Sequence, residues 1–444
     1  MYHPRRPSPK LIWSALFVCF LLCALFFSSQ VISAFGETGS VVGKKLICPT
    51  EDEAEKPLRR LTNPDSEVRG IWIASVYNIN YPSKKGLSAA KLKAELDDIV
   101  ATAEACSLNT IYFQVRPSSD ALYVSSLFPT SAYLTGKQGS PLPENFDPLA
   151  YLVREAHRHG IFVHAWINPL RVTVGTASSP SHDLSALAEN HPARLHPEWT
   201  VAYADGQVYF DPGIPAVRDL VTAGVREIVE NYNVDGVIFD DYFYPYPVSG
   251  AEFADSETYL SSGSSLPLAD WRRENVNRFV EACYSAVKEV SSDCLFGVAP
   301  FGIWKNDDGT NGGSATHGLE SFSAIYCDPL AWIEGGYLDY IAPQIYWYSG
   351  YAPADYSVLL DWWSDRLKNY PDVGLVITHA AYQAETWGIE NEIMNQVNAA
   401  REKREYVGSS FYGYAAVKAN EGKLREQFSI LYRTERFFAG KFSD

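Results

Sequence analysis

Between Val68 and Tyr432, short runs of β-branched and aromatic residues alternate with longer runs of helical periodicity, and the pair recurs eight times. The sequence predicts strands over Val68–Ser75, Asn109–Pro117, Ile161–Pro169, 234–240, Leu295–Trp304, Leu338–Trp347, Gly374–Tyr382 and Val407–Val417. It predicts helices over 88–106, 147–160, 215–232, 269–290, near 328–335, and over 355–370, 389–404 and 421–432. Several carry end signals, such as Ser88 and Asp147 as caps, Pro148 at a first helical position and Gly160 as a stop. Long loops follow the strands and short ones follow the helices. That order predicts an α/β fold, a (β/α)8 TIM barrel. An open doubly wound sheet is the rival. It needs a glycine-rich phosphate turn after an early strand, and the stretch VRGIWIASVYN has none.

A barrel of this kind carries its active site at the C-terminal ends of its strands. The fourth strand reads VDGVIFDDYFYPY: a buried run, then Asp240 and Asp241, then Tyr242, Phe243, Tyr244, Pro245 and Tyr246. Carboxylates at the end of an apolar run are seldom idle, although a helix cap or a turn is the plainer alternative. Aromatic rings beside carboxylates suit a sugar cleft, because pyranoses present CH faces that stack on rings. The other strand ends bring Gln114 and Arg116; His164, Trp166 and Asn168, with Arg171 beyond; Phe301 and Trp304; Gln344, Tyr346 and Trp347; His379, Tyr382, Glu385 and Trp387; and Tyr412 and Tyr414. Side chains alternate along a strand. Gln114 and Arg116 therefore share a face, as do His164, Trp166 and Asn168. Asp240 falls in phase with Ile238 and faces the barrel mouth, while Asp241 turns away or caps the loop.

A formal net charge of −16 argues against nucleic acid or an anionic membrane surface as the main partner. Near the N-terminus Arg5, Arg6 and Lys10 precede the uncharged run Leu11–Phe27, the pattern of a secretory signal or membrane anchor. Residues 1–36 are read as that signal or anchor helix, leaning to an uncleaved anchor. Residues 37–66 are read as a flexible stalk and 67–436 as the barrel, placed outside the cell or in its envelope. Membrane contact is expected through the N-terminal segment only. Beyond that segment Cys48, Cys106, Cys283, Cys294 and Cys327 show no CxxC and no paired histidine, so neither a metal nor a cofactor is expected. Cys106 and Cys283 read as core, and a Cys283–Cys294 pairing stays open.

The stretches QVRPSSDALY, HAWINPLRV, HPEW, DPGIPAVR, VDGVIFDDYFYP, DWRRENVNRFV, FGVAPFGIW and DYIAPQIYW resemble the glycosyl-hydrolase-like 10 family of bacterial secreted and envelope proteins. The resemblance runs from about Val68 to past Trp387. It implies a TIM-barrel glycoside hydrolase and a glycan substrate of the bacterial envelope, peptide-free peptidoglycan strands first among them. It supplies no settled catalytic pair.

Glycoside hydrolysis ordinarily uses two carboxyl groups, one as acid and one as nucleophile or base. Asp240 is the first choice. Glu385, after the seventh strand and taken to face the fourth across the barrel, is the second, with Asp241 its rival and Asp120 and Asp211 behind. Arg116, Asn168, Arg171, Gln344 and Tyr346 are expected to hold sugar hydroxyls or tune the acid. Trp166, Tyr242, Tyr244, Trp304 and Trp347 are expected to stack on rings. His164 is counted with the substrate-facing group, though alone it reads as a core histidine. Two alternatives remain: a glycan-binding barrel without turnover, and a metal-dependent hydrolase using His164, Asp240 and His379.

Overall fold

The structure is a computed structural model that describes residues 67–432. The expected anchor, stalk and Cys48, and the last four residues of the expected barrel domain, lie outside the described residues. Eleven strands occur among those described: β1 (Val68–Ile73), β2 (Thr110–Arg116), β3 (Phe162–Ile167), β4 (Thr200–Ala202), β5 (Val208–Phe210), β6 (Gly236–Phe239), β7 (Leu295–Val298), β8 (Tyr340–Ile341), β9 (Gln344–Ile345), β10 (Gly374–Ala380) and β11 (Tyr406–Tyr412). All but β4 and β5 form one parallel sheet in the order β1, β2, β3, β6, β7, β8 with β9, β10, β11. The β11–β1 pairing closes it into the eight-membered barrel expected. β8 and β9 are halves of the single predicted sixth strand. Pro343 lies between them, and a proline has no N–H to give the ladder.

The helices fall close to expectation: Ala89–Ala105, Pro148–Arg158, Pro215–Asn231, Leu268–Val290, Pro329–Gly335, Tyr356–Leu367, Glu392–Arg401 and Leu424–Leu431. The Asp147 carboxylate accepts from the Ala150 N–H, the cap expected of it. Three details differ. β7 ends at Val298 rather than Trp304, just before Pro300. The chain turns helical at Tyr414, so β11 ends at Tyr412. The long loop after β3 holds the antiparallel hairpin of β4 and β5, too short to show a period in the sequence. Cys106, Cys283, Cys294 and Cys327 are buried free thiols, so Cys283 and Cys294 do not pair.

Two apolar cores follow from strand alternation. Val237, Phe239, Val298 and Ile341 face the helices. Trp72, Tyr112, Trp166, Ile238 and Tyr340 fill the barrel. Rings this large fit inside because a neighbouring strand offers glycine at the same level. An added Cβ would meet Tyr112 Cε2 at 2.4 Å from Gly70, His164 Cε1 at 2.5 Å from Gly236, and Tyr340 Cζ at 2.3 Å from Gly297. At Gly297 the collision is with the hydroxyl-bearing end of a buried ring, Cζ and both Cε atoms, so neither partner has room to yield freely. Gly297→Ala is expected to lower stability by about 1–3 kcal/mol, the usual range for overpacking. Denaturant titration reads it directly, and a loss below about 0.5 kcal/mol would contradict this packing.

Candidate active site

β6 delivers Asp240 as the alternation requires. Ile238 points into the barrel, and two residues on Asp240 follows it to the mouth, 4% exposed. Its Oδ2 accepts from Asn168 Nδ2 at 2.6 Å and from Trp166 Nε1 at 3.0 Å, both from the β3 end. Among the described residues its Oδ1 is met only by the Tyr242 N–H, at a long 3.4 Å. Behind Asn168, Gln114 Nε2 donates to Asn168 Oδ1 at 2.6 Å. Gln114 Oε1 in turn accepts the N–H groups of Ser75 at 2.9 Å and Val76 at 3.0 Å. Burial pushes the Asp240 carboxyl up to about 7, and the neighbouring Asp241 carboxyl adds to the shift while Arg171 opposes it.

Asp241 does not turn away. Its Oδ1 accepts from Gln344 Nε2 at 2.7 Å, and its Oδ2 accepts from the Tyr246 hydroxyl. β6 has ended at Phe239, so strand alternation no longer governs residue 241. Burial raises this carboxyl above its ordinary value too. Arg171 lies over the Tyr242 ring, 4.8 Å from its centroid, and donates to the Pro117 carbonyl at 2.7 Å. Tyr242 and Tyr246 pack 5.3 Å apart, and Phe301 lies 5.4 Å from Tyr246. Tyr346 lies nearly parallel to Tyr412 at 6.1 Å and edge-on to Tyr382 at 5.9 Å, making a half-buried group of three tyrosines at the same end of the barrel.

Other expected members sit elsewhere. A register shift between Gln114 and Arg116 breaks the shared phase, and Arg116 packs outside the barrel, its guanidinium 4.3 Å from the Phe128 ring centroid. His164 is wholly buried below Trp166, its Nδ1 paired with the Tyr340 hydroxyl at 2.8 Å, and burial lowers its pKa to about 3. Trp166 is a hydrogen-bond donor rather than a sugar platform; its indole is buried and packs edge-on to Trp72 at 5.1 Å. Tyr244 is buried against Phe253 and Tyr326. Trp304 is held among Trp362, Phe322 and the Asp328 carboxylate. Trp347 is half-buried over Gly302 and packs against the outer core.

Glu385 is exposed on the loop after β10 and has no hydrogen bond to either aspartate. The strand order also corrects its placement: β10 is three places round from β6, and β11 is the strand that faces it. Asp120 is buried, with its pKa raised to about 7 by burial, and Gln138 Nε2 lies 3.3 Å from it. Asp211 ties its own loop to the short helix Ser256–Ser261, accepting from the Gly213 N–H and from Thr258 Oγ1. His379 points to the helices, bonding Gln396 and Ser409, so His164, Asp240 and His379 do not converge. Among the described residues no group of three His, Cys, Asp or Glu side chains is placed to hold a metal ion. Strand-end reading places Gln114 at the end of β2 but gives it no role; that role shows only through its contact with Asn168.

The sequence profile described as glycosyl hydrolase-like 10 matches residues 67–394. Glycosyl hydrolase YngK of Bacillus subtilis (strain 168) is 39% identical over 382 residues, covering 84% of this chain and 73% of that protein. Glycosyl hydrolase DigH of Escherichia coli (strain K12) is 37% identical over 330 residues, 72% of this chain and 74% of that one. Matches of this length and identity, on a closed barrel with carboxyl groups at its mouth, place the chain in the glycosyl hydrolase-like 10 family.

Proposed function

We propose that this glycoside hydrolase cleaves a bacterial cell-envelope or extracellular glycan, peptide-free peptidoglycan strands being the first to try, with Asp240 as the general acid. The observation that carries the assignment is the asymmetry of Asp240: one oxygen saturated with donors, the other nearly free, on a buried carboxyl whose pKa lies near neutrality. A glycosidic oxygen needs a proton as it leaves, and a carboxyl held protonated near pH 7 can give it. Asp241, on the next residue and bound by Gln344 and Tyr246, is the nearer partner for the second carboxyl role. The two share burial and like charge, so the pair titrates as a unit. Arg171 steadies negative charge beside both. The tyrosines around the mouth offer ring faces to sugars. Export or anchoring through residues 11–27 would bring the barrel to such a glycan, and the named relatives come from bacteria.

The test is turnover by the purified protein on a panel of glycans, with a chelator in one arm. The acid works protonated, so kcat is expected to fall as pH rises through about 7. A rate that climbs through that range would take the acid role from Asp240. Binding without turnover on every glycan would favour a non-catalytic glycan-binding barrel.

A further inference from the structure

Gln114 and Asn168 are each 1% exposed, and each is an amide whose two ends could in principle be exchanged. Here the exchange is forbidden at one end of the chain. The partners of Gln114 Oε1 are the N–H groups of Ser75 and Val76, which only donate. Gln114 must therefore turn its oxygen to β1 and its NH2 to β3. That NH2 meets Asn168, so Asn168 presents its oxygen to Gln114 and its own NH2 to Asp240. Trp166 Nε1, also donor-only, meets the same Asp240 oxygen. The amides of Gln114 and Asn168 are thus oriented by backbone groups just after β1, three strands round from Asp240.

We propose that Gln114 is a positioning residue: it carries the polarity of the Ser75 and Val76 N–H groups through Asn168, so that Asp240 keeps Oδ2 as an acceptor and turns Oδ1 to the substrate. The inference rests on Asp240 being the acid. It gives the carboxyl proton one address, since Oδ2 already faces two donors and has no room for a hydrogen of its own. The donors also stabilise the ionised form, restraining the upward push of burial. The charged and titratable groups facing Asp240 are Asp241, Tyr242 and Arg171, on the loops after β6 and β3. The relay itself is neutral and adds no charge.

The measurement is the Asp240 midpoint, followed by carboxyl carbon-13 resonances of the aspartate-labelled full chain and assigned with Asp240→Asn. Gln114→Glu, ionised, faces the Asn168 oxygen with an acceptor. The amide flips, Asp240 loses a donor, and its midpoint rises by about one unit or more. Gln114→Met removes the polarity without adding charge, and is expected to raise the midpoint by a smaller amount. The alkaline limb of kcat moves with it in both variants. An unchanged midpoint in folded Gln114→Met overturns the proposal, because packing or charge alone would then account for Gln114→Glu. If neither variant folds, the wild type decides: the side-chain amide resonances of Gln114 and Asn168 must titrate with the Asp240 midpoint, and a silent Gln114 overturns the relay. A shifted midpoint in a protein that cleaves no glycan would sink the hydrolase reading and leave the relay standing.

Discussion

Asp240→Asn is expected to lower kcat on the cleaved glycan by at least about 10²–10⁴-fold, the usual worth of general acid–base assistance, with the barrel intact. Asparagine matches aspartate in shape. Its oxygen can accept from Asn168 Nδ2 and Trp166 Nε1 as Oδ2 does now, so both donors keep a partner. What disappears is the proton. A second reading comes from stability. An unfolded aspartate titrates near 3.9, and the folded Asp240 near 7. With the folded value raised, the group's contribution is complete below about pH 4 and is lost as pH rises through about 7. The wild type therefore loses stability over that window, and the asparagine variant should show a flatter profile there. Kinetics and denaturation at several pH values check both statements. Activity within about tenfold of wild type, a gap of roughly 1.4 kcal/mol, would remove Asp240 from the chemistry.

Arg272→Ala is expected to cost about 3–5 kcal/mol, the range for stripping one partner from a buried ion pair. Arg272 is 2% exposed and the Asp255 side chain is fully buried. The guanidinium grips that carboxylate with two prongs, Nη2 at 2.6 Å and Nε at 2.8 Å, and also holds the Phe253 carbonyl and the Tyr326 hydroxyl. Without it a charge stays buried with no counterion. This clamp fastens the end of the loop that begins with Asp241 and Tyr242, so kcat should fall as well although Arg272 meets no substrate. Lysine cannot supply the planar fork and should rescue little. Replacing both partners together, Arg272→Met with Asp255→Leu, should recover much of the stability, since no lone charge remains. Guanidinium titrations measure each variant, and a loss under about 1 kcal/mol for Arg272→Ala would show that the pair is not the fastening described.

The barrel was legible because its signals are local and repeated. Apolar runs of strand length, caps such as Asp147 and the order of elements needed no knowledge of distant contacts. Asp240 was legible for the same reason, by counting from Ile238. Counting failed where the backbone left its period. The bulge before Arg116 sent that side chain outward, and the end of β6 at Phe239 freed Asp241 to meet Gln344. Pro300 cut β7 short and left Trp304 among the helices. Tyr244 was a matter of partners, since nothing near it in sequence announces Arg272 and Phe253. Gln114 lay in plain view, but an amide at a strand end has no meaning until its neighbour 54 residues on is known.

The rings and glycines inside the barrel have a consequence for how such a chain can change over time. Tyr112, His164 and Tyr340 each occupy the volume that a Cβ on Gly70, Gly236 or Gly297 would need. Alanine at 236 overpacks the barrel while 164 holds an imidazole, and alanine at 297 does so while 340 holds a phenol. The two members of a pair lie 42, 72 and 43 residues apart in the sequence, yet the fit of each depends on the other. The order of steps matters too: shrinking the ring first leaves a void that the second change then fills, whereas the opposite order passes through an overpacked barrel. Paths that begin at the glycine carry the cost of overpacking, so drift at these six positions is biased toward beginning at the ring.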